Sequence, residues 1–232
     1  MRITKVEDYG SMSEKAKNIV LEKIREHPLV MALPTGGTPE MLYSLLVEEY
    51  KKGLDFSRVV TFNLDEYVGL APKNPNSYHY YMEEKFLKQV NVKKSYIPNG
   101  MAQDLGKECA EYENRIKSEG GIDLAILGIG RNGHIAFNEP GTSFESRTHV
   151  VELDEETIKA NSRFGNVPKR AITMGIETIM DSKEIILLVS GKEKAKAVKM
   201  MVERITEEVP ASILQKHPNC EVIVDGEALL HL

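Results

Sequence analysis

The amino-acid sequence predicts an α/β fold, with parallel strands joined by crossover helices, on three observations. Short β-rich apolar runs alternate with longer stretches of helical periodicity. The 232 residues are enough to bury a substantial core within one domain. No internal repeat and no low-complexity linker marks a boundary, so residues 1–232 are expected to form a single unit.

The first expected strand, Leu29 to Leu33, is a continuous apolar run. Pro39 to Lys51 follows it with apolar residues at spacings of three and four, as an amphipathic helix has them. Pro39 suits the first helical position and Thr38 its cap. Val59 to Asn63 is the second strand, and helical spacing returns over Tyr78 to Gln89 and Asp104 to Lys117. Asp123 to Leu127, His149 to Leu153 and Glu184 to Val189 are the next strands. Lys192 to Arg204 is again helical in pattern, and Glu221 to Val224 is the last strand. Open α/β sheets bind ligands beyond the carboxyl ends of their strands, so chemistry is expected in the loops after the first, second, third and fifth strands.

Composition narrows the function. A hydrophobic fraction of 41% with 28% charged residues is that of an ordinary globular protein. The net charge of −5, without a basic stripe, argues against a nucleic-acid surface. Cys109 and Cys220 have no paired spacing, so neither a disulfide framework nor a thiolate zinc site is indicated, and a reducing cytoplasm is expected. The N-terminus is charged and the longest apolar run, Ile185 to Val189, is far short of a membrane span, so no targeting or membrane segment is expected.

The segment P-T-G-G-T-P, Pro34 to Pro39, places Gly36 and Gly37 before a helix. Free amides there, with the helix dipole and the Thr35 and Thr38 hydroxyls, make an anion site; the same residues also suit a plain tight turn. The lysine of a nucleotide P-loop is missing. Arg163, in A-N-S-R-F-G, and Lys194, after Ser190-Gly191, are candidate cations for such a site, though spacing alone does not select them from 30 basic residues.

At the end of the second strand, L-D-E-Y carries Asp65 and Glu66, of which at most one faces a given pocket on extended chain. One could act as a base, or both could be cap or loop carboxylates. The third strand leads into Gly128 to Gly141, G-I-G-R-N-G-H-I-A-F-N-E-P-G. It contains G-x-G-x-x-G, with Asp154 near the place of a ribose-binding acid, but Pro140-Gly141 follows too soon for the helix that dinucleotide binding requires. His134 lies in this loop with Asn132 and Glu139 close by. Such a histidine exchanges protons near neutral pH while an amide or carboxylate fixes its tautomer. Ligands for a transition metal are sparse.

In this order, P-T-G-G-T-P, F-N-L-D-E-Y-V-G-L, G-R-N-G-H-I-A-F-N-E-P-G and A-N-S-R-F-G closely resemble the glucosamine-6-phosphate deaminases, from about Leu33 to Lys194. The resemblance implies a single-domain, Rossmann-like open twisted sheet, mainly parallel, with helices on both faces, and a reaction using no cofactor and no metal. It implies that Asp65 moves a proton between C2 and C1 through an enediol-type intermediate. His134 would open the sugar ring, with Asn132 and Glu139 supporting it. Gly36, Gly37, Thr38, Arg163 and Lys194 would surround the substrate phosphate. Many relatives carry aspartate where this chain has Asn132, a change expected to adjust pH dependence rather than abolish activity.

Two other functions compete. The 6-phosphogluconolactonases resemble this family in fold and share a G-H loop, but I-A-F-N-E-P and the base in N-L-D-E-Y favour the deaminase. A non-catalytic sugar-phosphate sensor could dispense with Asp65 and His134. The hexameric deaminases hold an effector with basic residues shortly after N-E-P, where this chain has S-R-T-H-V-V, with His149 and Val151 in place of arginine and lysine. The chain also ends soon after Asp225. A monomer or small homo-oligomer without allosteric activation is therefore expected. The expected partner is a small amino-sugar phosphate, with no nucleic acid and no membrane.

Overall fold

The computed structural model describes residues 1–154, 157–158 and 168–232. Ten strands and six α-helices follow one another among them: β1 Arg2–Val6, α1 Tyr9–Glu26, β2 Leu29–Leu33, α2 Glu40–Lys51, β3 Val59–Asn63, β4 Asp65–Tyr67, α3 Tyr78–Lys85, β5 Lys94–Tyr96, α4 Leu105–Ser118, β6 Leu124–Gly128, β7 His149–Glu152, β8 Arg170–Thr173, α5 Ile176–Met180, β9 Glu184–Val189, α6 Ala195–Glu203 and β10 Cys220–Asp225. Seven strands form a parallel sheet in the order β1-β10-β9-β6-β2-β3-β5. The fold is α/β and mainly parallel.

Strand periodicity divides the core into two layers. Val30, Ala32, Ala125, Leu127, Leu187 and Val222 face the layer covered by α4, α5 and α6. Leu29, Met31, Leu33, Leu124, Ile126 and Leu188 face the layer covered by α1, α2 and α3. A side-chain period of two on fully buried strands produces this division and requires helices on both faces. In α1, Met12, Ala16, Val20 and Ile24 are buried at steps of four, and Asp8 caps the helix by accepting the Ser11 N–H at 2.7 Å.

From β2 the chain builds outward through β3 to β5, then returns to place β6 on the other side of β2. The strand order thus reverses between β2 and β6, and the crevice beyond their carboxyl ends is the position where such sheets bind ligands.

Several sequence expectations change. The run from His149 forms β7 in a separate three-stranded antiparallel sheet, β4-β8-β7, rather than joining the parallel sheet. Its first three residues are half-buried and Glu152 is exposed, unlike wholly buried strands of the main sheet such as β2. The helix from Tyr78 ends at Lys85, and a 3₁₀ turn, Leu87–Gln89, follows. Lys192–Lys194 is likewise a 3₁₀ turn ahead of α6. Helix α2 begins at Glu40 with Pro39 as its cap residue and no side-chain cap bond, so Thr38 does not cap it.

Candidate active site

The Pro34–Pro39 turn leaves β2 at this crevice. Gly36 holds φ at 97°, a left-handed conformation that disfavours a side chain. The Gly36 carbonyl accepts from the Tyr81 hydroxyl at 2.7 Å and the Gly37 carbonyl from the Tyr9 hydroxyl at 2.9 Å. No described residue accepts from the Gly36, Gly37 or Thr38 N–H groups. With their carbonyls bound on one side and the N-terminus of α2 behind them, these amides suit an anion.

Beside the cradle, the chain passes from β3 into β4, and consecutive residues diverge as extended backbone requires. Asp65 points into the cavity at 6% exposure. Burial, and then the neighbouring Glu66 carboxylate, push its pKa up to about 8, with no hydrogen bond offsetting them. Glu66 turns away to the start of α3. There it accepts the N–H groups of Tyr67, Tyr78 and His79 at 2.7, 2.9 and 2.8 Å.

The loop after β6 closes on itself, the Gly130 N–H donating to the His134 carbonyl at 2.9 Å and the Gly133 N–H to the Gly130 carbonyl at 3.1 Å. No helix lies between β6 and β7, so the crossover helix that dinucleotide binding requires is missing after this loop. His134 lies in the cavity with Nδ1 3.4 Å from Glu139 Oε2, outside hydrogen-bonding geometry. Asn132 bridges the two: its Nδ2 donates to Glu139 Oε2 at 2.8 Å, and its Oδ1 accepts the His134 N–H at 3.2 Å. The Thr157 hydroxyl donates to Glu139 Oε1 at 2.6 Å. Burial alone would raise the pKa of Glu139, but the contacts with His134, Thr157 and Asn132 outweigh it and hold the group below its usual value. Glu139 therefore stays ionised next to the imidazole.

Lys194 reaches the same cavity from the turn before α6, its Nζ donating to the Ile129 carbonyl at 2.7 Å. Asp225 holds the preceding turn by accepting from the Ser190 hydroxyl at 2.6 Å and the Gly191 N–H at 3.0 Å. The cavity encloses about 820 Å³ and brings together Gly36, Gly37, Thr38, Asp65, Asn132, His134 and Lys194. Glu139 stands behind the histidine. Arg163 and the rest of A-N-S-R-F-G lie outside the described residues.

Some lining residues escaped sequence reasoning. Tyr78 is the main one: its ring stacks on Phe137 at 5.9 Å, and its hydroxyl donates to that of Tyr67 at 3.1 Å. As the first residue of α3 in a tyrosine-rich stretch it carries no signal separating cavity from core. Arg131, inside the glycine-histidine motif, also lines the cavity. Among the described residues, no group of three or more His, Cys, Asp or Glu side chains is placed to hold a metal ion, and no helix is long and apolar enough to cross a membrane.

Comparison with known proteins matches residues 7–223 to the family described as glucosamine-6-phosphate isomerases/6-phosphogluconolactonase. A glucosamine-6-phosphate deaminase of Shouchella clausii is 54% identical, over 98% of this chain and 96% of that protein. Glucosamine-6-phosphate deaminase 1 of Bacillus subtilis is 48% identical, over 98% of each. The solved structure of a monomeric glucosamine-6-phosphate deaminase superposes with a TM-score of 0.97 at 47% identity over the whole of both chains. A 6-phosphogluconolactonase from Trypanosoma cruzi shares the fold, with a TM-score of 0.82 at 24% identity over 100% of this chain and 96% of that one.

Proposed function

The chain belongs to the glucosamine-6-phosphate isomerase/6-phosphogluconolactonase family, and from that premise we propose that it converts glucosamine 6-phosphate and water to fructose 6-phosphate and ammonia. One observation carries this: a single cavity at the strand switch point holds a buried carboxylate, a carboxylate-backed histidine and an anion cradle with a lysine beside it.

The substrate phosphate lies on the Gly36, Gly37 and Thr38 turn against Lys194, anchoring the sugar away from the reacting carbons. His134 carries a proton from the C1 hydroxyl to the ring oxygen, which breaks the C1–O5 bond and leaves an open-chain aldehyde. Asn132 holds the Glu139 carboxylate beside the imidazole, where it can support the ring as the proton moves. Asp65 then takes the C2 proton and returns it at C1. The aldehyde carbon becomes a hydroxymethyl group and the amine-bearing C2 becomes an imine. Water adds at C2 and ammonia leaves. C1 is reduced as C2 is oxidised, so the balance needs no external redox carrier.

The same protein acts in the cytoplasm as one domain, a monomer or small oligomer with simple saturation kinetics. A similar solved enzyme is described as monomeric. Where an effector site would need arginine and lysine, the chain has His149 and Val151, and the Arg147 guanidinium is engaged by Glu177 at 2.9 Å and Asp181 at 2.5 Å.

The direct test supplies glucosamine 6-phosphate, galactosamine 6-phosphate and 6-phosphogluconolactone in parallel, in EDTA. Ammonia and fructose 6-phosphate should form in equal amounts from glucosamine 6-phosphate. Hydrolysis of the lactone alone, or turnover only with added NAD, would overturn the assignment.

A further inference from the structure

We propose that Glu66 is a positioning residue, whose carboxylate pins the first turn of α3 to β4 and so fixes Asp65 against the phosphate cradle. This rests on the deaminase function above, which gives Asp65 the moving proton.

A carboxylate at 2% exposure is costly to bury unless its oxygens are well bonded. Here both are used. Oε1 accepts the N–H groups of Tyr67 and Tyr78, and Oε2 that of His79. Tyr78 and His79 open α3, where N–H groups have no partner within the helix and the dipole favours negative charge. The Ser77 side chain caps only the Tyr80 N–H, at 3.0 Å, so Glu66 supplies the rest of the helix start.

This matters for Asp65 because β4 carries it. It has three residues and lies at the edge of the small sheet, paired only to β8. The Glu66 contacts tie its other side to α3. The tie continues through Tyr78, which lines the cavity together with Thr35 of the cradle and whose ring stacks on Phe137 of the histidine loop. One carboxylate thus links the elements that carry the base, the cradle and the histidine. Glu66 does not itself line the cavity. It acts through Asp65 rather than on the sugar.

Glu66→Gln keeps the shape but puts a donor where an N–H must be accepted, loosening β4 from α3. The cradle keeps its own ties to Tyr9 and Tyr81. The expected result is a kcat per folded molecule lowered about 10- to 100-fold, the scale of a small misplacement of a reacting group, with KM and competition by inorganic phosphate changed less than about 3-fold. Glu66→Asp, charged but one methylene short, should fall between that variant and the wild type. Should Glu66→Gln not fold, Ser77→Ala loosens the same turn from the other side and should show a smaller kcat loss, again without a KM change. Wild-type kcat in a folded Glu66→Gln, or in Ser77→Ala if that variant has to decide, would overturn the proposal. A wild-type enzyme releasing no ammonia would show instead that the deaminase function is wrong, and the positioning role with it.

Discussion

At the scale of single residues, the account turns on Asp65. A base must be ionised to accept a proton, and burial with Glu66 beside it raises the pKa of Asp65 to about 8. Activity measured as kcat/KM should therefore climb with pH through a group titrating well above the ordinary carboxylate range and fall as the solution is made acidic. A profile already flat from pH ~5 upward, where an unperturbed aspartate is ionised, would contradict this. The same burial works against stability. The folded state binds this proton more tightly than the unfolded state, so the favourable contribution is complete below the unfolded pKa and is lost as pH rises through about 8. Asp65→Asn should then melt about 2–6 °C higher than the wild type at pH ~8, with the difference shrinking toward pH ~4. Equal melting temperatures at both values would show the carboxylate to be better solvated than its position implies. The divergence of Asp65 from Glu66 was legible in the sequence, because extended chain sends neighbours to opposite sides. That Asp65 is the residue facing the cavity, and that Glu66 caps a helix beginning twelve residues later, depends on a long-range contact that local spacing does not encode.

Among the elements, the loop after β6 has the least tolerance. A methyl group on Gly130 would lie 2.3 Å from the His134 ring, so the imidazole must leave its place. Gly130→Ala should cut kcat by about tenfold or more while the cradle still binds phosphate, and an unchanged kcat would mean that the ring position is not critical. Gly36 differs: a methyl there meets nothing within 4 Å, but φ of 97° strains any side chain, so stability rather than geometry should suffer. The turn before α6 carries Lys194, and Lys194→Ala should raise KM about 10- to 100-fold, the worth of one charge-assisted contact, with kcat affected less. A KM equal to that of the wild type would place the phosphate elsewhere. Element by element, the buried strands β2, β3, β6, β9 and β10 stood out in sequence as apolar runs. The edge strands β1 and β5 are short and polar, and β4 is D-E-Y, residues poorly suited to strands except the last, so their pairing was not legible. Helix α1 was legible in the four-residue step of Met12, Ala16, Val20 and Ile24 but was absent from the expected elements, its pattern diluted by intervening lysines and glutamates.

For the whole molecule, the reversal of strand order between β2 and β6 places two loops far apart in sequence over one crevice. The α/β alternation predicted that such a crevice exists, and the motifs predicted what lines it. The small antiparallel sheet that carries Asp65 was not foreseen, because three- and four-residue strands have too few positions to show a period. With His149 and Val151 at the effector positions in place of arginine and lysine, and Arg147 in two ion pairs, substrate saturation should be hyperbolic and indifferent to N-acetylglucosamine 6-phosphate, with a small particle by light scattering. A sigmoidal curve made hyperbolic by that compound, from a hexamer, would contradict this without touching the chemistry. The central claim is that Asp65 moves the proton between C2 and C1 of a phosphate-anchored amino sugar. Steady-state ammonia release by Asp65→Asn beside the wild type tests it most directly. The account predicts a kcat lowered by about two to four decades with KM nearly unchanged, and a variant turning over glucosamine 6-phosphate at close to the wild-type rate would contradict it.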